Sequence, residues 1–186
     1  MRGDMQLEAF VKELHWLAER QFPIAKVTDF LCQTPLHPDV LDLHTFHSPM
    51  RYTRNLMYKC SQFEILLLCW GPYHASPIHG HEGEKCWMRV EEGTLHFINY
   101  AELDVHSVQL QELSAVTGST GFVDGPAGIH MVKNPTDKRA RSLHLYARPF
   151  AECDVYDIHA QERSRRQISY DTMYGRLVKS ELRVSL

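Results

Sequence analysis

From Tyr52 onward the chain is a succession of short segments in which apolar and polar residues alternate, cut by closely spaced turns, with no helical stretch between them. Candidate strands cover 52–58, 62–70, 77–82, 85–91, 94–100, 104–113, 120–124, 129–134 and 141–147. Many short strands without intervening helices predict an all-β sandwich or barrel. Glu91-Glu92-Gly93, between two alternating runs, predicts a tight hairpin. Residues 1–50 read as mainly helical instead. Leu7, Phe10, Val11, Leu14, Leu17 and Ala18 recur at helical spacing up to Phe22-Pro23. A second short helix fits Ile24, Val27, Phe30 and Leu31, and a third starts at Pro38-Asp39 and ends by Pro49. These helices are expected to cover one end of the barrel. Residues 1–186 form one domain in this reading, with 52–186 supplying the barrel and a C-terminal segment in which Ile168, Tyr170 and Met173 fold back as a strand.

Composition narrows the function. A formal net charge of -3 gives no basic field for nucleic acid or an anionic membrane, and the short run Arg163, Arg165, Arg166 reads as a solvated face. There is no leader-like start and no apolar stretch of membrane-spanning length, so a membrane partner is not expected. The five cysteines are odd in number and form no CxxC pair, which fits a reducing cytoplasm better than a disulfide framework. Twelve histidines are many for 186 residues and hint at chemistry.

The chemistry concentrates first in Pro77-Ile78-His79-Gly80-His81. On a strand, residues two apart face the same way, so both imidazoles project together. Neutral imidazole is a common ligand for iron, zinc, copper and nickel. Cys86 follows after four residues and Gly93 six beyond that, and about forty residues past Cys86 comes Pro126-Ala127-Gly128-Ile129-His130, with Asn134 four further on. The pair of motifs resembles those of the cupin superfamily, small double-sheet, jelly-roll-like β-barrels. The resemblance implies a metal held by His79, His81 and His130. Where the usual cupin has a ligating glutamate, this chain has Cys86, with Glu82 and Glu84 out of register. Three neutral imidazoles and no carboxylate leave the dication's full charge in place, which favours an anionic ligand such as a thiolate.

Tyr52-Thr53-Arg54-Asn55-Leu56, Cys69-Trp70-Gly71, the HxH-x4-Cys segment, Gly128-Ile129-His130 and Ser142-Leu143-His144-Leu145-Tyr146 occur in that order. Together they resemble the cysteine dioxygenases, thiol-oxidising cupin enzymes, from about Tyr52 to Cys153. The residues carry their own logic. Arg54 shares a strand face with Tyr52, and a guanidinium fork suits a carboxylate. Ser142, His144 and Tyr146 alternate onto one face, poorly suited to core packing and well suited to a relay that places the Tyr146 oxygen near a metal. The resemblance implies the same role, and implies a thioether bond between Cys86 and Tyr146, which many bacterial members lack because they carry glycine in place of the cysteine. Cys153 also matches a family position, without a physical role. Trp70, Trp87 and Met173 are candidates for pocket or core alike.

The expectation is therefore an iron(II)-dependent enzyme, one Fe(2+) per chain, oxidising L-cysteine with dioxygen to the sulfinic acid and acting in the cytoplasm as a monomer. His79, His81 and His130 would hold the metal, Arg54, Tyr52 and Tyr146 the substrate, and His144 with Tyr146 and Arg54 the catalytic geometry. Two rivals remain open. One is a 3-mercaptopropionate dioxygenase, whose relatives often carry a proline where Pro77 stands but tend to lack the arginine. The other is a non-catalytic metal-binding cupin acting as a sensor.

Overall fold

The computed structural model describes residues 4–104 and 108–178. Three helices come first: α1 (Leu7–Ala18), α2 (Ile24–Gln33) and α3 (Pro38–Leu43). Strands follow in the order β1 (Thr53–Lys59), β2 (Glu64–Trp70), β3 (Ile78–His79), β4 (Lys85–Glu92), β5 (Thr94–Asp104), β6 (Gln109–Ser119) and β7 (Val123–Ala127). The remainder are β8 (Ile129–Lys133), β9 (Ala140–Ala147), β10 (Glu152–Asp157), β11 (Glu162–Gln167), β12 (Thr172–Met173) and β13 (Arg176–Leu177). They form a seven-stranded sheet ordered β13-β12-β1-β2-β9-β4-β7 and a six-stranded sheet ordered β11-β10-β3-β8-β5-β6. Among the described residues no helix is long and apolar enough to cross a membrane.

The seven-stranded sheet is buried on both faces, and its sequence shows why. β2 is nearly all apolar, and each of its residues is buried. Ile65, Leu67, Leu143, Leu145 and Trp87 pack outward against Phe10, Leu14, Leu17 and Leu31 of the helices. Tyr52, Leu56, Leu66, Leu68, Trp70, Cys86, Met88 and Tyr146 pack inward, against Phe97 and Val132 of the second sheet. A strand buried on both faces loses its alternation and reads as a continuous apolar run. Burying even one such leucine stabilises the fold by about 2 kcal/mol, so the helices are part of the core.

The structure corrects several boundaries. The Glu91-Glu92-Gly93 turn exists, but β4 and β5 do not pair as a hairpin, because they belong to different sheets. Gly93 hands the chain from one sheet to the other at φ +80°, where an added Cβ would lie 2.9 Å from the Arg139 carbonyl oxygen. The expected strand 104–113 is the C-terminal end of β5 and the start of β6, with residues 105–107 outside the described ones. No apolar period in the sequence predicts the hairpin β10–β11. Its β11 sequence, Glu-Arg-Ser-Arg-Arg-Gln, is mostly exposed and carries no apolar alternation. The strand 77–82 shrinks to two residues, with His81 beyond it in a turn whose Glu82 and Gly83 have positive φ.

Candidate metal centre

His79 on β3 lies directly opposite His130 on β8, and β10 flanks β3 on its other side through Val155. Although His81 has left the strand, its ring returns to the other two: centroids are 5.2 Å apart for His79–His81, 4.6 Å for His79–His130 and 4.7 Å for His81–His130. One nitrogen from each ring lies within 4.8 Å of the others, and the His79 and His130 Nε2 atoms are 3.3 Å apart. Nitrogens bound at right angles on one ion at about 2.1 Å sit about 3 Å apart, so this pair already has that spacing.

The backbone selects the tautomers. The Pro77 carbonyl can only accept, so His79 Nδ1 donates to it (3.0 Å), and by the same reasoning His81 Nδ1 donates to the Ala127 carbonyl (3.2 Å). Each ring is thereby left with a lone pair on Nε2, and that of His81 is buried without a hydrogen-bond partner. Burial, opposed in part by the Pro77 carbonyl, lowers the His79 pKa to about 4; burial and the neighbouring His79 lower that of His81 to about 3. Burial also holds His130 well below the ordinary value. All three are neutral near pH 7, the state a metal requires. A buried, unpartnered lone pair costs folding free energy, and coordination would remove that cost. The donor set thus fits a divalent transition metal. The nearby carboxylates do not join it: Glu82 pairs with Arg165 at 2.6 Å and Glu84 faces Arg148 at 3.9 Å.

Beside His79 a cavity of about 10 Å³, room for about one water, is walled by Tyr52, Arg54, Tyr146, Phe150, Cys153 and Ile168, among others. Arg54 is buried, its Nε donates to the Ser169 carbonyl at 3.3 Å, and one terminal nitrogen has no partner. Burial opposes its charge, but the phenols of Tyr146 and Tyr52 and the Glu64 carboxylate outweigh that and raise its pKa. Tyr52 stacks on Trp70 at 4.7 Å. A wider cleft of about 580 Å³ reaches His81 from another side but contains neither Arg54 nor Tyr146.

On β9 the three polar side chains connect. Trp70 Nε1 donates to Ser142 Oγ (2.9 Å), and Ser142 Oγ lies 2.9 Å from His144 Nε2. His144 Nδ1 lies 3.4 Å from the Tyr146 oxygen, a long contact. Burial keeps His144 neutral, and burial with the adjacent Cys86 thiol keeps Tyr146 protonated. Cys86 lies directly opposite Tyr146 in the β4–β9 ladder and is fully buried, which pushes its thiol pKa up.

The structure brings His79, His81, His130, Arg54, Tyr52, Tyr146, His144 and Cys86 to the barrel interior. Trp87 faces the helices, and Met173 lies at the margin of the inner cluster. Phe150 went unread in the sequence; its ring packs edge-on against Tyr146 at 5.3 Å and near His81 at 5.9 Å. It lies outside the alternating strands, so no periodicity pointed to it.

A two-sheet barrel with three inward histidines is the architecture of a cupin metal site. The comparisons narrow it further. Residues 18–159 match the family described as cysteine dioxygenase type I, and the chain belongs to that family. It is 30% identical over 130 residues to cysteine dioxygenase type 1 of Homo sapiens, covering 67% of this chain and 65% of that protein, so the match spans just under two thirds of that relative's length. With the Danio rerio protein of the same description it shares 26% identity over 186 residues, 96% of this chain and 92% of the relative. Among solved structures, a conserved Klebsiella pneumoniae protein with a double-stranded β-helix domain superposes with a TM-score of 0.52 at 12% identity, over 62% of this chain and 87% of that one. That likeness concerns the fold alone.

Proposed function

We propose that this chain is an iron(II)-dependent thiol dioxygenase that converts L-cysteine and dioxygen to cysteine sulfinic acid. The observation that carries the reading is Arg54: a buried, charged guanidinium with a free donor, set in the wall of the cavity that also contains His79 and Tyr146. A buried cation without a carboxylate partner is costly, and an anionic substrate group would relieve it. Family membership supports the reaction type, since the relatives are described as cysteine dioxygenases.

His79, His81 and His130 would hold the metal. When bound, it supplies a Lewis acid that favours a thiolate over a thiol and, as iron(II), the redox chemistry dioxygen needs. The chain's own residues do the rest. Arg54 binds the carboxylate bidentately, and Tyr52 closes the wall beside it. The Ser142–His144 pair orients the Tyr146 phenol, which can then donate its proton to the substrate sulfur. Phe150, Ile168 and Cys153 limit water in the cavity. Such positioning of two reactants supplies most of the rate gain. Cys86 and Tyr146 form a thioether link, the thiol and ring hydrogens leaving as two protons and two electrons taken up by dioxygen.

The test is anaerobic reconstitution with iron(II), admission of air, and measurement of sulfinate from cysteine, cysteamine and 3-mercaptopropionate. Sulfinate from cysteine above the other two supports the proposal. Oxygen consumption with none of the thiols leaves a binding protein. One observation favours 3-mercaptopropionate as the alternative substrate: Pro77, whose carbonyl orients His79, also lines the cavity. A higher kcat/KM for that thiol decides for it.

A further inference from the structure

Glu64 is a fully buried carboxylate that the scheme above does not use. It opens β2, an otherwise apolar strand, and lies directly opposite Tyr146 on β9, so it shares the inner face of the sheet with Tyr146 and Cys86. Its Oε2 accepts a hydrogen bond from the Tyr170 hydroxyl at 2.6 Å and faces Lys59 Nζ at 3.3 Å, while Lys59 Nζ donates to the Tyr170 oxygen at 2.8 Å. Its Oε1 is buried without a hydrogen-bond partner. A carboxylate so placed costs free energy unless its ordering serves something.

What it orders is the segment behind Arg54. The carbonyl of Ser169, next to Tyr170, accepts from Arg54 Nε at 3.3 Å. On the other side of Tyr170, Asp171 accepts from the Arg54 backbone N–H at 2.9 Å and returns a backbone bond to its carbonyl at 2.8 Å. Ile168, one residue further back, is part of the cavity wall. Within residues 168–171 the Ser169 carbonyl holds the guanidinium, Asp171 is fixed on the Arg54 backbone and by Arg51 at 2.8 Å, and the Tyr170–Glu64 bond ties the stretch to β2.

We propose that Glu64 is a positioning residue for the Arg54 anchor, acting through Tyr170 on the stretch whose Ser169 carbonyl fixes the guanidinium. The proposal rests on the thiol dioxygenase reading, with Arg54 binding the substrate carboxylate. Arg54's other terminal donor is then presented at a fixed angle, and loosening the tether costs carboxylate binding and leaves the metal and the relay intact.

Tyr170→Phe is the first variant, because Tyr170 is half-buried and the change removes one hydroxyl. In the iron-loaded protein, KM for cysteine should rise roughly five- to tenfold, the worth of one hydrogen bond, with kcat and iron content unchanged. Glu64→Ala should give the same rise. Glu64→Gln should restore KM, since its amide oxygen can still accept from Tyr170. In the Arg54→Ala background Tyr170→Phe should change KM no further, because the two act on one contact. An unchanged KM in Tyr170→Phe overturns the proposal, as does an effect that adds fully to that of Arg54→Ala. Failure of Glu64→Gln to restore KM overturns it as well. Absence of thiol oxidation by the unmodified protein overturns the functional reading beneath it, an outcome separate from any of these.

Discussion

At the scale of single residues, the proposed function assigns some groups to the metal and others to the substrate. Replacing His79, His81 or His130 with alanine removes a converging nitrogen, and each variant is expected to lose stoichiometric iron by elemental analysis. His96 bonds Thr117 at 2.8 Å on the β5–β6 pair and takes no part in the cluster, so His96→Ala keeps its iron. Full iron in His130→Ala would remove the assignment. Arg54→Ala gives the complementary result: iron stays, and kcat/KM for cysteine falls by about a hundredfold, the few kcal/mol of a charge-assisted bidentate pair. Oxidation of cysteamine, which has no carboxylate, should change little. Cysteine turnover unaltered in Arg54→Ala would mean that the substrate is anchored elsewhere.

At the scale of elements, the pairing of β4 with β9 sets Cys86 against Tyr146, with Ala127 of β7 on the far side of Cys86. Cross-strand neighbours have Cβ atoms about 5 Å apart, so a thioether link needs little backbone movement. Protein that has turned over should show a peptide joining the two residues, two hydrogens lighter than the sum, and Cys86→Ser should abolish it while lowering activity only in part. Only free Cys86 and Tyr146 peptides after turnover would reduce the cysteine to core packing. The same strands show what could be read in advance. Ser142, His144 and Tyr146 alternate with Leu143 and Leu145, because this sheet has an interior face and a helix-covered face, and that period is visible in the residues. The spacing of His79 and His81 predicts one strand face; their convergence instead comes from a two-residue strand and a turn, a geometry that spacing alone does not encode. β11 was illegible because an exposed, charged strand at a sheet edge has no apolar period. Glu64 was hidden by its place at the head of an apolar run, where only the returning Tyr170 reveals its use.

At the scale of the whole molecule, stability and metal binding share the same protons. Between the lowered pKa values of His79, about 4, and His81, about 3, and the ordinary value of 6.5, the unfolded chain binds protons at these histidines that the folded, metal-free chain does not. Stability therefore rises with pH across that window, and is lost as pH falls below about 6.5. Each such histidine contributes a slope of up to ~1.4 kcal/mol per pH unit. His130 and His144, also lowered by burial, act in the same direction. The window from pH 6.5 to 5 is the informative one, because it lies above the titration of ordinary carboxylates. Metal-free protein should melt at progressively lower Tm from pH 7 to 5, and His81→Gln, which removes one of the protons, should flatten the profile. Saturating divalent metal binds the folded chain and should raise Tm most near neutral pH, with the gain shrinking as protons compete for the imidazoles. A Tm of metal-free protein that stays level from pH 7 to 5 would show that the three rings are not buried neutral bases, and their convergence would then need another explanation.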